Sequence, residues 1–295
     1  MESSLFFLLA ITSTFAYALQ SSLLAHHARS MDKLSLAFYR MLALSIILLP
    51  MLSQVAINEY QQLIPLLPAL ALSGISGGLF LWTQFYALKF LPIGVSSSLS
   101  QSMRTLASFL LSYHLLDESL SISQAAFICL VLFGSCIVAI SKNKMNHLSG
   151  NTNKGVLITV VSGSLGALSF FSLSYSSKIA NPYMIGYFWE FSVLIGTASI
   201  LLMRTLVTSK KRQVISIRQF GIIALASSPT LIGTICAALA LQQGPLAIFM
   251  AIAAISVILS AIFGRLLYKE TLVVWQWFGI LLSLVGVVCL KLYSS

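Results

Sequence analysis

Charged residues are scarce in this 295-residue chain: Asp, Glu, Lys and Arg together make up 8% of the sequence, whereas 58% of it is hydrophobic. Soluble domains average about 25% charged residues, because a surface in water needs polar groups to cover an apolar core. This sequence has too few polar groups for such a surface. The composition therefore excludes a soluble enzyme and a disordered protein, and it predicts a chain that crosses a membrane many times.

Cysteine is also scarce: the chain has four, and no two of them form a Cys-x-x-Cys pair. Neither a zinc site, a redox motif nor a secreted disulfide scaffold is therefore indicated. The sequence also lacks a P-loop and a Gly-x-Gly-x-x-Gly motif, which argues against ATP-driven transport by this chain alone. Its four histidines have no acid and nucleophile at a catalytic spacing. We predict no cofactor, no bound metal and no enzymatic activity.

Acidic residues are outnumbered by basic ones, 7 against 17, which gives a net charge of +10. The basic residues are scattered through short loops without a basic stripe, so we expect no nucleic-acid partner. In a protein that lies in a lipid bilayer, such charges set the orientation. Alternate loops, counted with the span ends that adjoin them, hold 13 of the 17. The positive-inside rule places those loops in the cytoplasm and both termini outside it, in what we expect to be a bacterial inner (cell) membrane.

Long apolar runs are what the sequence has in abundance. They are continuous rather than alternating, which favours transmembrane helices over barrel strands. Where a run exceeds one span, turn signals such as Gly244-Pro245 divide it. The predicted fold is all-α and polytopic. The ten predicted spans are residues 4–24, 34–53, 63–88, 93–113, 121–141, 155–177, 182–206, 219–242, 246–268 and 272–292.

The two halves of the chain repeat one another. An offset of 150 places Arg40 on Glu190, and an offset of 152 places Glu118 on Glu270. Each half holds five spans, and an odd number of spans inverts the second copy in the membrane. Inverted repeats around a central site are an architecture of secondary transporters. The predicted domains are residues 1–142 (first repeat), 143–154 (polar linker) and 155–295 (second repeat).

Several segments resemble the landmarks of a known family. Residues 268–272 (YKETL), followed by 275–279 (WQWFG) and 284–288 (LVGVV), look like the end of an EamA-type repeat, and 86–92 (YALKFLP) and 38–40 (FYR) resemble its earlier landmarks. The chain is thus similar to the drug/metabolite transporter superfamily over nearly its whole length. This resemblance implies ten helices around a central cavity and transport of a small organic solute. It also implies cytoplasmic termini, contrary to the expectation from charge.

Arg104 lies near the middle of the predicted fourth span. Ser97 and Gln101 share its helix face at spacings of three and four, and Ser100 lies beside that face. An arginine facing lipid at this depth would cost at least about 2.5–3.5 kcal/mol. We therefore predict a cavity wall on which the guanidinium binds a carboxylate or phosphate. The alternative is an arginine locked to backbone carbonyls or to another helix.

Two more ionisable residues fall inside predicted spans. Arg40 is interpreted as a structural or cavity charge, with snorkelling to the near interface as the alternative. Glu190 is the only one of the seven acids inside a span. It is a candidate for proton coupling, and the alternative is a static hydrogen-bonded carboxyl. Trp82 and Gln84 are predicted to line the cavity as aromatic and polar contacts.

Helix interruptions in corresponding spans are a further indication of a transport site. At an offset of 153, the segment that contains Gly74 and Gly77 matches the segment that contains Pro229. Both segments are predicted to break or loosen their helices. Helix packing through small residues is the alternative.

These patterns favour a secondary transporter that moves a small organic metabolite, an amino acid or another carboxylate-bearing solute, by alternating access. A polytopic enzyme acting on lipid-linked substrates is one alternative. A non-transporting structural or receptor subunit is the other, and it predicts a dry core without a central cavity.

Overall fold

The computed structural model describes residues 2–91, 93–118, 121–140, 152–208, 213–268 and 273–293. Within these ranges the chain forms helices and no strand. Short 3₁₀ helices at Leu49–Gln54 and Ile57–Leu66 precede the third α-helix. The α-helices are α1 (Glu2–Ser30), α2 (Lys33–Ile47), α3 (Leu67–Ala87), α4 (Ile93–Leu115), α5 (Ile122–Ile140), α6 (Thr152–Ser177), α7 (Pro182–Thr208), α8 (Ile217–Ser227), α9 (Pro229–Gln243), α10 (Leu246–Ala253), α11 (Ile255–Tyr268) and α12 (Val274–Tyr293).

These helices cover all the predicted spans, with α8 and α9 forming one span and α10 and α11 another. The prediction of an all-α polytopic membrane protein is confirmed, and the helices are compatible with ten crossings. In the part of the chain that the structure describes, six stretches are long and apolar enough to cross a membrane. They are Ser4–Ala28, Lys33–Gln54, Ile57–Ala87, Thr152–Ser177, Pro182–Val207 and Ile217–Gln243.

The helix packing follows the two inverted repeats. Helix α3 packs against α6, and its equivalent α9 packs against α1, the equivalent of α6. Likewise, α4 packs against α6, and α11 packs against α1. The equivalent helices α2 and α7 contact each other, as do α5 and α12. Each repeat therefore buries its apolar faces against the other. The linker predicted at 143–154 lies largely outside the described residues, and its boundaries stay a prediction.

Connections between helices alternate between the two ends of the bundle. We call one end the basic end, which includes residues 31–32, 88–91 and 213–216, because the topology predicted from the sequence assigns most of the Lys and Arg residues to it. We call the other the terminal end, and it includes residues 116–118 and 178–181.

Helix α3 runs unbroken through Gly74 and Gly77, so the interruption predicted there is wrong. A Cβ atom at Gly74 would lie 2.6 Å from the carbonyl oxygen of Ser192, and one at Gly77 would lie 2.6 Å from Cγ2 of Val193. Both contacts are with α7. The glycines therefore permit close packing of two helices, which was the alternative interpretation.

Two other spans are interrupted. Pro229 is the first residue of α9 and directly follows Ser228. Because proline has no backbone N–H, one of the hydrogen bonds that would join α8 and α9 into a continuous helix is missing. Ala254 separates α10 from α11 without a nearby proline or glycine, and the sequence pattern does not predict that break. A carbonyl at this break accepts hydrogen bonds from α4, as described below.

Candidate functional site

A cavity of about 130 Å³ lies between the two repeats. A single water needs only about 10–15 Å³, so the cavity has room for a small organic molecule. Helices α1 to α4 of the first repeat and α6, α7, α10 and α11 of the second repeat line it. Its lining approaches the basic end, since Leu88 follows the last turn of α3 and Ser96 lies in the first turn of α4. At the other end the lining includes the buried Phe249 and Trp189.

The structure brings seven of the predicted site residues to this cavity and leaves four away from it. The residues that line it are Gly77, Gln84, Ser97, Gln101, Arg104, Arg40 and Glu190. Trp82, Ser100, Gly74 and Pro229 are not among the lining residues.

Two residues that were predicted to contact the substrate, Ser100 and Trp82, do not line the cavity, and their positions on their helices explain why. The lining positions of α4 are Ser96, Ser97, Gln101 and Arg104, and Ser100 lies beside the face that the last three share. Its backbone packs on α6, where a Cβ atom at Gly163 would lie 2.5 Å from the Ser100 carbonyl oxygen. Trp82 falls between the lining positions Leu81 and Gln84 of α3. In the described conformation, neither residue borders the cavity, and their contact with a substrate stays a prediction.

Arg104 is held in the wall by two aromatic rings. Its Cζ atom lies 4.9 Å from the ring centre of Phe80 and 5.7 Å from that of Phe170, which are cation–π distances. Nε of Arg104 is buried, and among the described residues it has no hydrogen-bond partner. The side chain as a whole is only partly buried because it borders the cavity. At Nε, the guanidinium therefore has no acceptor from the described protein, while another part of the side chain borders the cavity.

Gln101 also borders the cavity, but its amide is engaged. Its Nε2 donates to the carbonyl oxygen of Met250 at 3.3 Å, and the hydroxyl of Thr105 donates to the same oxygen at 3.0 Å. The N–H of Ala254 bonds other carbonyls at this point, so the Met250 carbonyl is available to α4. These two bonds from the opposite repeat thus support the break between α10 and α11. Gln101 is a contact between repeats as well as a residue of the cavity wall.

Glu190 is 3% exposed in the cavity wall. Its Oε1 accepts a hydrogen bond from Thr234 Oγ1 at 2.9 Å, and Tyr17 Oη lies 3.0 Å from that hydroxyl oxygen. Because Thr234 donates its only hydroxyl hydrogen to Glu190, Tyr17 is the donor in the second hydrogen bond. The carboxylate therefore ends a chain of two hydroxyl donors that joins α1, α9 and α7.

Arg40 is buried on the same cavity, with only 6% of its side chain exposed, so it does not snorkel to the surface. Its Nη2 donates to Oε1 of Gln20 at 3.3 Å, and its Nη1 lies 3.5 Å from Sδ of Met41. Among the described residues, Nε has no hydrogen-bond partner, and no direct ion pair joins Arg40 to Glu190. Although the repeats are inverted, their two equivalent charges meet at one cavity without pairing.

An aromatic cluster borders the cavity next to Arg104, and the sequence analysis did not identify it. The ring centre of Phe170 lies 5.2 Å from that of Trp189 and 6.2 Å from those of Phe249 and Tyr17. We call these four rings the aromatic floor. Their positions come from four helices, so no single stretch of sequence shows them together.

One sequence signal for the missed part of the site does exist. Ser13, Tyr17 and Gln20 lie on one face of α1 at spacings of four and three, the rule that singled out the α4 face. All three line the cavity. The hydroxyl of Ser13 is buried and has no partner among the described residues.

Comparisons with known proteins agree with this architecture. A family model described as "EamA-like transporter family" matches residues 4–140 and 149–292. A solved crystal structure, described only as "Crystal structure of protein", superposes with a TM-score of 0.72 and 15% sequence identity, over 99% of this chain and 96% of that chain. At that identity the likeness shows the fold alone. Among curated proteins, no significantly similar sequence matches the chain.

Proposed function

The chain belongs to the EamA-like transporter family, and from this membership we propose that it is a secondary transporter that moves a small organic metabolite by alternating access. The observation that carries the proposal is the cavity between the repeats, with Arg104 in its wall and one guanidinium donor free of protein partners. A non-transporting structural or receptor subunit predicts a dry core instead, so the cavity favours transport.

The chemistry of Arg104 supports a solute that carries an anionic group. A guanidinium offers several N–H donors in one plane, and it forms paired, charge-assisted hydrogen bonds with a carboxylate. Amino acids and other carboxylates are therefore the candidate solutes.

We propose Glu190 as the residue that carries a coupling proton. It is the only acid of the chain within a predicted span, and it lies on the same cavity as Arg40 and Arg104. Protonation of this carboxyl would change the charge of the cavity at the place where the solute binds.

The proposed orientation places the basic end in the cytoplasm of a bacterial cell, with the protein in the inner membrane. The cavity lining approaches that end. On this orientation, the cavity lining of the described conformation extends towards the cytoplasmic side.

Reconstitution into liposomes tests the transport function. Vesicles loaded with unlabelled amino acids and organic acids should take up a labelled carboxylate by counterflow, and Arg104→Ala should lower that uptake strongly. Arg218→Lys, at an exposed arginine on α8, is the matched control and should behave as the original protein. A protein that is folded but moves none of these solutes under any gradient would contradict the proposal.

A further inference from the structure

The surroundings of Arg104 determine what kind of group can bind it. Phe80 and Phe170 attract the guanidinium through their ring faces, but a phenyl ring provides no hydrogen-bond acceptor in the plane of the N–H groups. Among the described residues, Nε has no acceptor either. A buried guanidinium donor without an acceptor is unfavourable. A carboxylate on the solute would supply the acceptor.

When Glu190 is ionised, the charges around the cavity favour a solute with one anionic group. Two arginines, Arg40 and Arg104, and one acid, Glu190, line it. With Glu190 ionised, its charge offsets that of Arg40, which leaves the equivalent of a single positive charge to be neutralised. A second anionic group would remain unneutralised in a cavity largely shielded from water, which is costly.

The aromatic floor determines what the rest of the solute is like. Trp189 donates its Nε1 hydrogen to the carbonyl oxygen of Ser169 at 2.9 Å, and Tyr17 donates its hydroxyl to Thr234 at 3.0 Å. Their polar atoms are therefore already used within the protein. The other two rings, of Phe170 and Phe249, have no polar atoms. Phe170, Trp189 and Phe249 are at most 6% exposed, so the floor borders the cavity with narrow strips of apolar ring surface, beside Arg104, which contacts Phe170.

We propose that the transported solute is an organic monoanion in which a single carboxylate is attached to an apolar body, as in an aromatic carboxylate; this rests on the transport function proposed above. The carboxylate binds Arg104 and the apolar body packs against the aromatic floor. Dicarboxylates and inorganic phosphate lack the body that the floor accommodates, and organic cations are repelled by the arginines.

A matched set of probes tests the proposal with the purified full-length protein in detergent. Thermal unfolding is followed with 3-phenylpropanoate, succinate, inorganic phosphate and 3-phenylpropylamine, since a ligand that binds the folded state raises its Tm. The expected result is a concentration-dependent rise in Tm with 3-phenylpropanoate and little or none with the other three. Equal or tighter binding of any of those three, or no binding of 3-phenylpropanoate, overturns the proposal.

Variants assign the binding to this site. Arg104→Lys keeps the charge but loses the planar pair of donors, so the affinity for 3-phenylpropanoate should fall about 10- to 100-fold. Phe170→Leu removes the central ring of the floor and should weaken binding about 3- to 10-fold. Phe133→Leu changes a ring on α5 that is 60% exposed and should leave the affinity unchanged.

The Tm of each variant without ligand checks that the variant folds. If Phe170→Leu does not fold, Phe80→Leu is used in its place. Unchanged affinity in both the arginine and the phenylalanine variants places the binding elsewhere and contradicts the inference.

The counterflow assay separates this inference from the transport function. Exchange of succinate or phosphate without exchange of 3-phenylpropanoate shows that the solute class is wrong while transport stands. Arg104-dependent binding of 3-phenylpropanoate without exchange of any solute shows that the solute class is right while the transport function is wrong.

Discussion

The contacts of Glu190 fit both interpretations of this residue: a static hydrogen-bonded carboxyl and a carboxyl that takes up and releases a proton. Its carboxylate accepts from Thr234, which in turn accepts from Tyr17. A glutamine at this position can accept the same hydrogen bond through its amide oxygen, but it cannot carry a proton. That difference separates the two interpretations.

We predict that Glu190→Gln abolishes uptake driven by a pH gradient while leaving folding and solute exchange largely intact. The reason is that exchange needs the binding site but no net movement of protons. Uptake under a pH gradient and counterflow without a gradient are compared in proteoliposomes. Glu59→Gln, an acid outside the cavity lining, is the control. An unchanged pH dependence in Glu190→Gln would exclude this carboxyl as the coupling group.

Asp32 at the basic end predicts a pH effect on stability. Arg204 donates two hydrogen bonds to its carboxylate, at 2.8 and 2.9 Å. Burial raises the pKa of this carboxyl, but hydrogen bonds from Arg204 and Ser35 outweigh burial and hold the pKa below its usual value. A lowered pKa stabilises the folded state above the unfolded-state value, and this stabilisation is lost as the pH falls through the folded-state value.

We therefore expect Asp32→Asn to lower the Tm at neutral pH, and we expect the difference from the original protein to shrink as the pH is lowered below about 4. Thermal unfolding between pH 7 and pH 3 measures this difference. A difference that stays constant across the range would show that the ionised carboxylate contributes no stability. The effect is small because the Asp32 side chain is 36% exposed.

At the scale of helices, glycines decide how closely the two repeats approach. A Cβ atom at Gly163 of α6 would lie 2.6 Å from Cβ of Met103 on α4. Gly163→Ala should therefore lower the free energy of unfolding by about 1–3 kcal/mol through overpacking. In contrast, a Cβ atom at Gly221 of α8 meets nothing within 4 Å, so Gly221→Ala should raise it by about 0.5–1 kcal/mol. Thermal unfolding in one detergent compares the two, and equal effects would contradict the packing argument.

The connections at the terminal end are joined by one acid. Glu118 Oε1 lies 2.6 Å from Nζ of Lys178, and both carboxylate oxygens accept from the N–H of Leu246, at 3.1 and 3.0 Å. Glu118 belongs to the first repeat, whereas Lys178 and Leu246 belong to the second. These contacts tie the repeats together at the end opposite to the one that the cavity lining approaches. Under the proposed alternating-access mechanism, they would have to break for that end to open.

We predict that Glu118→Gln loosens the terminal end, because an amide lacks the charge that attracts Lys178. With the native cysteines removed, Ser174→Cys provides a buried reporter one turn from the end of α6, and a hydrophilic maleimide measures its accessibility. Labelling should be faster in Glu118→Gln. Asp117→Asn is the matched control, since Asp117 is exposed and asparagine also tolerates its φ of 50°. Equal labelling rates would contradict a closing role for Glu118.

At the scale of the whole molecule, the distribution of charge predicts the orientation. Apart from Arg40 and Arg104 inside their spans, Lys178 and Lys291 are the only Lys or Arg residues that the predicted topology does not place in loops of the basic end or at the adjoining span ends. We therefore expect both termini to lie outside the cytoplasm, contrary to what the family resemblance implied. A C-terminal fluorescent protein that matures only in the cytoplasm should stay dark, while the same fusion after residue 145 should be bright. A bright C-terminal fusion would show the opposite orientation.

Much of this architecture could be predicted from local patterns. Continuous apolar runs predicted the spans, and the family match is consistent with the repeat deduced from the offset between Arg40 and Glu190. The spacing of Ser97, Gln101 and Arg104 placed all three on one face of α4, and all three line the cavity. Hydrophobicity and helical periodicity are properties of one segment at a time, so they can be recognised along the sequence without knowing which helices meet.

Contacts between helices could not be predicted in this way. A carbonyl at the break near Ala254 accepts hydrogen bonds from Gln101 and Thr105, which lie about 150 positions away in the chain. The aromatic floor beside Arg104 takes its rings from four helices of both repeats. The glycines of α3 pack against α7 instead of breaking their helix. Each of these features depends on how two inverted repeats pack face to face, and that packing is a property of residue pairs that no single stretch of sequence contains.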